Sequence, residues 1–123
     1  MQFETKNNID KHIAHGGSKH WLFQRLTAIA LIPLISWFVF SLAVLGKSNF
    51  ESSINFITFF PNTILFIILI FVAFWHAQLG LQVVIEDYIS SKKIQSPLIF
   101  FIKSLLNLLG IVAILSILKI AFF

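Results

Sequence analysis

The chain contains no cysteine among its 123 residues. That absence excludes an ordinary iron–sulfur cluster, c-type haem attachment, a disulfide and a thiolate nucleophile. Any redox role must use cofactors held by histidine or by a partner chain. Charge is scarce as well. Asp, Glu, Lys and Arg make up 11% of the residues and hydrophobic residues 58%, against about 25% and about 45–50% in a soluble domain. With a mean hydropathy of +0.90, too little polar surface remains for a water-soluble fold. The composition predicts an all-α integral membrane protein.

The net charge is +4 and the isoelectric point about 9.7, which raises the question of nucleic acid. The lysines are scattered and mostly flank apolar runs, where such charges set topology and meet lipid headgroups. Nucleic acid is therefore discounted as a partner, and membrane lipid is expected.

The opening "MQFETKNNIDKHIAHGGSKHW" lacks the apolar core and small-residue cleavage site of a secretory signal. It reads as a polar N-terminal tail over residues 1–20, irregular up to Gly16-Gly17-Ser18, with Ser18 as a helix N-cap. A three-helix membrane domain over 21–123 follows. Its first run, "WLFQRLTAIALIPLISWFVFSLAVLG", covers 21–46, and Pro33 is a point where it can bend. The link "KSNFESS" and an intermediate stretch over 54–60 lead to Pro61, a residue suited to a first helical turn. The second span runs over 61–88. After "ISSKKIQSP", Pro97 opens the third, over 97–123. Each run meets the roughly 20 apolar residues that a span requires.

Orientation follows from Lys and Arg near the span ends. Lys6, Lys11, Lys19 and Arg25 lie on the N-terminal side, and three spans put Lys92, Lys93 and nearby Lys103 there too. The opposite side has Lys47 and Lys119. The N-terminus is expected in the cytoplasm and the C-terminus in the periplasm.

His12, His15 and His20 fall in the tail or at the interface, facing water or headgroups. His76 does not. It precedes Asp87 by eleven residues, about 16 Å along a helix, near the middle of a hydrocarbon core about 30 Å thick. An ionisable residue at that depth marks a ligand site or a proton path, or else serves as interhelical glue. At about 100° per residue, Asp87 lies about 20° around the helix from His76 and Gly80 about 40°. The stripe His76–Gly80–Val83–Asp87 thus shares one face. A glycine one turn from the ring leaves room for a flat haem or for a closely packed helix. Bis-histidine haem needs two imidazoles, so the second would come from another chain or another copy of this one.

Asp87 and Tyr88 end the second span. Such residues belong to an ordinary interfacial belt, or they serve a quinone: a phenol can donate to the quinone oxygen as negative charge builds, and a carboxylate can pass protons. Arg25 either snorkels to the interface or faces the bundle and binds a carboxylate, such as a haem propionate. Gln24 and Thr27 add polarity to the same turn.

The segments "HWLFQRLTA" and "QRLTAIAL" opening the first span, with "HAQLGLQVVIEDY" closing the second, resemble the hydrophobic membrane-anchor family of succinate dehydrogenase, respiratory complex II. The likeness covers nearly the whole chain. It implies a second three-helix anchor, of the cytochrome b type, and docking of a flavoprotein and an iron–sulfur subunit in a bacterial or mitochondrial inner membrane. It also implies that His76 is one axial ligand of haem b, with the second anchor supplying the other. Tyr88 would hydrogen-bond ubiquinone, Asp87 would lie around that site, and Arg25 would lie by the haem propionates. No role falls to Lys19 or His20. The isolated chain is expected to catalyse nothing. Rival readings are the anchor of a quinol:fumarate reductase, a small structural or transport-associated membrane protein without haem, and a homodimeric cytochrome.

Overall fold

The computed structural model describes the backbone of residues 2–123 and the side chains of residues 19–123. Four helices follow one another: α1 (Gln2–Leu45), α2 (Phe50–Thr58), α3 (Phe60–Tyr88) and α4 (Lys92–Phe122). Three stretches are long and apolar enough to cross a membrane, Lys19–Leu45, Phe60–Tyr88 and Lys92–Phe122. The all-helical, three-span architecture matches the expectation from hydropathy. α3 is the middle helix, with α1 on one side and α4 on the other.

Two boundaries differ from the sequence reading. The backbone is helical through Gly16, Gly17 and Ser18, so Ser18 does not cap a helix and the segment before it is not irregular. A helix-interior glycine costs only about 1 kcal/mol relative to alanine, and no proline occurs before Pro33 to remove an amide donor. The third span starts at Lys92, with Pro97 inside α4 instead of opening it. Lys92, Lys93 and Gln95 are good helix formers, and the Ile94 and Gln95 amides already close the first turn on the Ser91 carbonyl (3.2 and 2.9 Å). Pro61, by contrast, does fall in the first turn of α3.

The short helix α2 was not expected from the sequence. Asn49 caps it, its side chain accepting from the Ser52 amide at 2.9 Å, and Glu51 stands in its first turn, where the helix dipole favours negative charge. Two side chains from the start of α3 fasten it. Asn62 Nδ2 donates to the Phe56 carbonyl at 3.0 Å and Thr63 Oγ1 to the Ile57 carbonyl at 2.6 Å. Phe56 also stacks with Trp37 and meets Phe66 edge-on.

Burial is inverted relative to a soluble protein. Among the described residues the buried apolar side chains are Leu31, Leu69 and Ile85, while Thr27, Ser41 and Thr63 are buried polar ones. Leucines, isoleucines and phenylalanines cover the outside. In lipid no hydrophobic force separates inside from outside, so helices meet through small and hydrogen-bonding residues. Gly110 is one such contact: a Cβ there would stand 3.4 Å from the Phe74 ring. Near the same level Gln78 Nε2 donates to Asn107 Oδ1 at 2.6 Å, joining α3 to α4.

Candidate functional site

His76 lies near the middle of α3, where hydropathy put it, and it faces α1. Its Nδ1 is 2.9 Å from Thr27 Oγ1. Thr27 is only 4% exposed and its hydroxyl also lies 2.7 Å from the Phe23 carbonyl and 3.0 Å from that of Gln24. A side chain that reads from the sequence only as local polarity thus joins the central histidine to α1. Among the described residues, Nδ1 is the only ring nitrogen of His76 that is hydrogen-bonded.

The histidine lines an open groove with Ala28, Leu31, Ile32, Ile35 and Ser36 of α1. The wall is apolar and partly made of small residues. Gly80 lies one turn along α3 toward Tyr88, about 40° around the helix from His76. A Cβ built there would meet nothing within 4 Å. Of the two options the glycine left open, a packed helix from this chain is therefore absent among the described residues, and the space is free.

Arg25 is exposed, and its guanidinium lies 4.7 Å over the Trp21 ring. At about 100° per residue, Arg25 falls on the same α1 stripe as Ala28, Ile32 and Ser36, two of them within about 20°. It marks the N-terminal end of the groove's α1 wall. His20 lies on the other α1 face, with Thr27, about 20° away. Its Nε2 is closed off without a hydrogen-bond partner among the described residues.

Asp87 and Tyr88 are at the far end of α3, both exposed, Tyr88 at 85%. The helix stops there, the Ile89 amide closing on the Ile85 carbonyl at 2.9 Å. Asp87 stays on the His76 face, but Tyr88 is about 120° around and about 18 Å along the axis. His76 and Tyr88 are therefore two separate places on one helix. Glu86 is held by Gln82 Nε2 at 3.0 Å. Glu86 and Asp87 end a helix that has no basic residue in its last turn, where negative charge is disfavoured by about 0.3–1 kcal/mol each. Local helix energetics do not account for the pair.

Among the described residues, no group of three or more His, Asp or Glu side chains converges. Among the described residues this groove offers one imidazole and an apolar wall, with Arg25 on the same α1 stripe beyond its N-terminal end, fewer donors than a bare metal ion takes.

The family model of succinate dehydrogenase/fumarate reductase transmembrane subunits matches residues 4–118. The succinate dehydrogenase hydrophobic membrane anchor subunit of Rickettsia bellii (strain RML369-C) is 43% identical over 105 residues, covering 81% of this chain and 79% of the relative. The same-named protein of Rickettsia typhi (strain Wilmington) is 34% identical over 121 residues, 92% and 93% of the two chains. The succinate dehydrogenase membrane anchor subunit of Reclinomonas americana is 34% identical over 90 residues, 71% and 75%. No solved structure gives a significant match.

Proposed function

Because the chain belongs to the succinate dehydrogenase/fumarate reductase transmembrane subunit family, we propose that it is one of two unlike anchors that share a haem b and a ubiquinone site. Membership makes it a membrane anchor subunit of succinate dehydrogenase, a multi-pass protein of the inner membrane. Succinate is oxidised in the soluble part of such an enzyme, and this chain does not turn over substrate alone.

His76 carries the proposal. A histidine at mid-depth, bonded on one ring nitrogen, beside a glycine with open space around it, supports His76 as the residue that would hold haem iron. The residues present fit such a group. Haem b, when bound, supplies a one-electron redox centre between the two anchors. The second imidazole would come from the partner anchor, a chain of the cytochrome b type. Arg25, exposed at the end of the groove wall, faces the propionates, since guanidinium binds carboxylate strongly and often through two parallel bonds.

Tyr88 serves ubiquinone. Its exposure leaves the phenol free to donate to a quinone oxygen, a bond that strengthens as the ring gains charge. Reducing the quinone consumes two electrons and two protons. Asp87, exposed beside Tyr88, stands where it passes protons from water. The chain runs N-terminus in the cytoplasm and C-terminus in the periplasm, as the excess of Lys and Arg at the Tyr88 end predicts. The flavoprotein and iron–sulfur subunits dock on that same cytoplasmic side.

The test is composition. The complex purified through a tag on this chain should hold one haem b per copy and a second, different anchor bearing the other histidine. Two copies of this chain around one haem, with no second anchor, would overturn the proposal and favour a homodimeric cytochrome.

A further inference from the structure

We infer that Thr27 fixes the tautomer of His76 and thereby makes Nε2 the ligating nitrogen. A single hydrogen atom decides the matter. A threonine hydroxyl has one O–H to donate and two lone pairs to accept with. Thr27 Oγ1 lies 2.7 Å from the Phe23 carbonyl oxygen and 3.0 Å from that of Gln24. Carbonyl oxygens only accept, so at 2.7 Å from the Phe23 carbonyl the hydroxyl is the donor, the usual back-bond of a threonine inside a helix. What Oγ1 presents to His76 Nδ1, 2.9 Å away, is a lone pair. With the hydroxyl hydrogen in that back-bond, Nδ1 carries the proton.

A neutral imidazole carries one N–H. With it on Nδ1, the lone pair is on Nε2, the form in which histidine binds a metal. The opposite tautomer would leave Thr27 and Nδ1 facing each other as two acceptors unless the hydroxyl abandoned both carbonyls. Burial sharpens the choice. Thr27 is 4% exposed, so bulk water does not mediate, and an unmatched polar pair at this depth costs on the order of 1–3 kcal/mol. The bond also joins residues 49 positions apart on two helices, so it aims the ring as well as its proton. Thr27 is a positioning residue: it acts on the iron through His76.

The inference toward iron rests on the proposed function, but the tautomer itself does not. The test uses the purified complex with Thr27→Val, which keeps the shape and loses the hydroxyl, and Thr27→Ser, which keeps the hydroxyl. Partners of metal-bound histidines contribute about 10–100-fold to metal affinity. Thr27→Val should lower haem retention by that factor. Donation from Nδ1–H makes the imidazole a stronger ligand for the ferric state, so its loss should raise the haem midpoint potential, by about 59 mV for each tenfold loss of ferric-selective binding. Thr27→Ser should match the unsubstituted complex in both. A valine variant equal to the parent in retention and potential would overturn the inference, as would a serine variant as damaged as valine.

Should the parent complex hold no haem, the haem reading fails alone. The nitrogen-15 spectrum of the histidine-labelled complex, with His76→Gln to assign the resonances, then decides the tautomer. A protonated Nδ1 and an unprotonated Nε2 are expected. Protonation at Nε2 would overturn the inference.

Discussion

Gly80 gives the haem proposal its sharpest energetic test, because the expected sign reverses between the chain alone and the assembled enzyme. In this chain a Cβ at Gly80 meets nothing within 4 Å. Helix propensity favours alanine over glycine by about 0.8–1.0 kcal/mol, so Gly80→Ala should leave the chain's own fold unharmed or firmer. If haem fills the space beside His76, the added methyl intrudes on it. Overpacking a filled site costs about 1–3 kcal/mol, which is about 5–150-fold in affinity at 1.4 kcal/mol per tenfold. Gly80→Ala should lower haem retention by that factor, and Gly80→Leu should abolish it, with the chain still present at parental level in the membrane. Gly110→Ala is the control. Its Cβ would sit 3.4 Å from the Phe74 ring on the α4 side, so it should affect α3–α4 packing slightly and haem not at all. The assay is haem per chain in the purified complex, with subunit ratios measured alongside. Full haem in both Gly80 variants would show that this face meets only lipid and would refute haem beside Gly80. Loss of the second anchor together with haem would assign the space to a neighbouring helix instead.

Three further outcomes follow from separate observations. Tyr88→Phe removes one donor to the developing charge, a change that costs about 10²–10³-fold where the donor sits in a water-excluded oxyanion hole, an upper bound for an exposed phenol. Succinate:quinone turnover should fall, with succinate oxidation by a soluble artificial acceptor and haem content unchanged; equal loss of both activities would make Tyr88 structural. Since the chain has no cysteine, a single introduced cysteine is its one thiol, and labelling read on this chain's own band reports topology. Ser91→Cys should react with an impermeant thiol reagent only from the cytoplasmic face and Ser52→Cys only from the periplasmic face, and the reverse pattern would invert the orientation. Thr63→Val strips the Ile57 carbonyl of its 2.6 Å partner at a residue only 3% exposed. An unsatisfied buried acceptor costs about 1–3 kcal/mol, so amide exchange in α2 should quicken about 5–150-fold while α3 and α4 stay protected; unchanged exchange in α2 would refute the fastening role.

The three spans were legible because lipid demands long apolar runs and the chain has three, each flanked by polar links. The ends were less so. Glycines, a serine and a proline mark helix boundaries only when nothing better holds the backbone, and α1 passes through Gly16-Gly17-Ser18 while α4 begins five residues before Pro97. α2 was hidden because its nine residues are too few to show a period, although Asn49 before Phe50-Glu51 is a cap signal in plain view. At the site, His76 was visible from its depth, since an imidazole in hydrocarbon is costly wherever it points. Thr27 was not visible as its partner, because that pairing depends on how α1 registers against α3, which no spacing within either segment encodes. Gly80 left two options at sequence level, a haem or a packed helix, and the placement of its neighbours excludes only a helix of this chain among the described residues. The 120° offset of Tyr88 from His76 follows from helical geometry at about 100° per residue, whereas its near-complete exposure does not.

The central claim is that His76 holds iron. The most direct measurement is a reduced-minus-oxidised optical spectrum of the complex purified from native membranes through a tag on this chain, recorded for the parent and for His76→Ala. A sharp b-type haem band is predicted in the parent and should disappear in the variant, with this chain and the soluble subunits still present. A band of full height in His76→Ala, or no band in an intact parent complex, would contradict the claim.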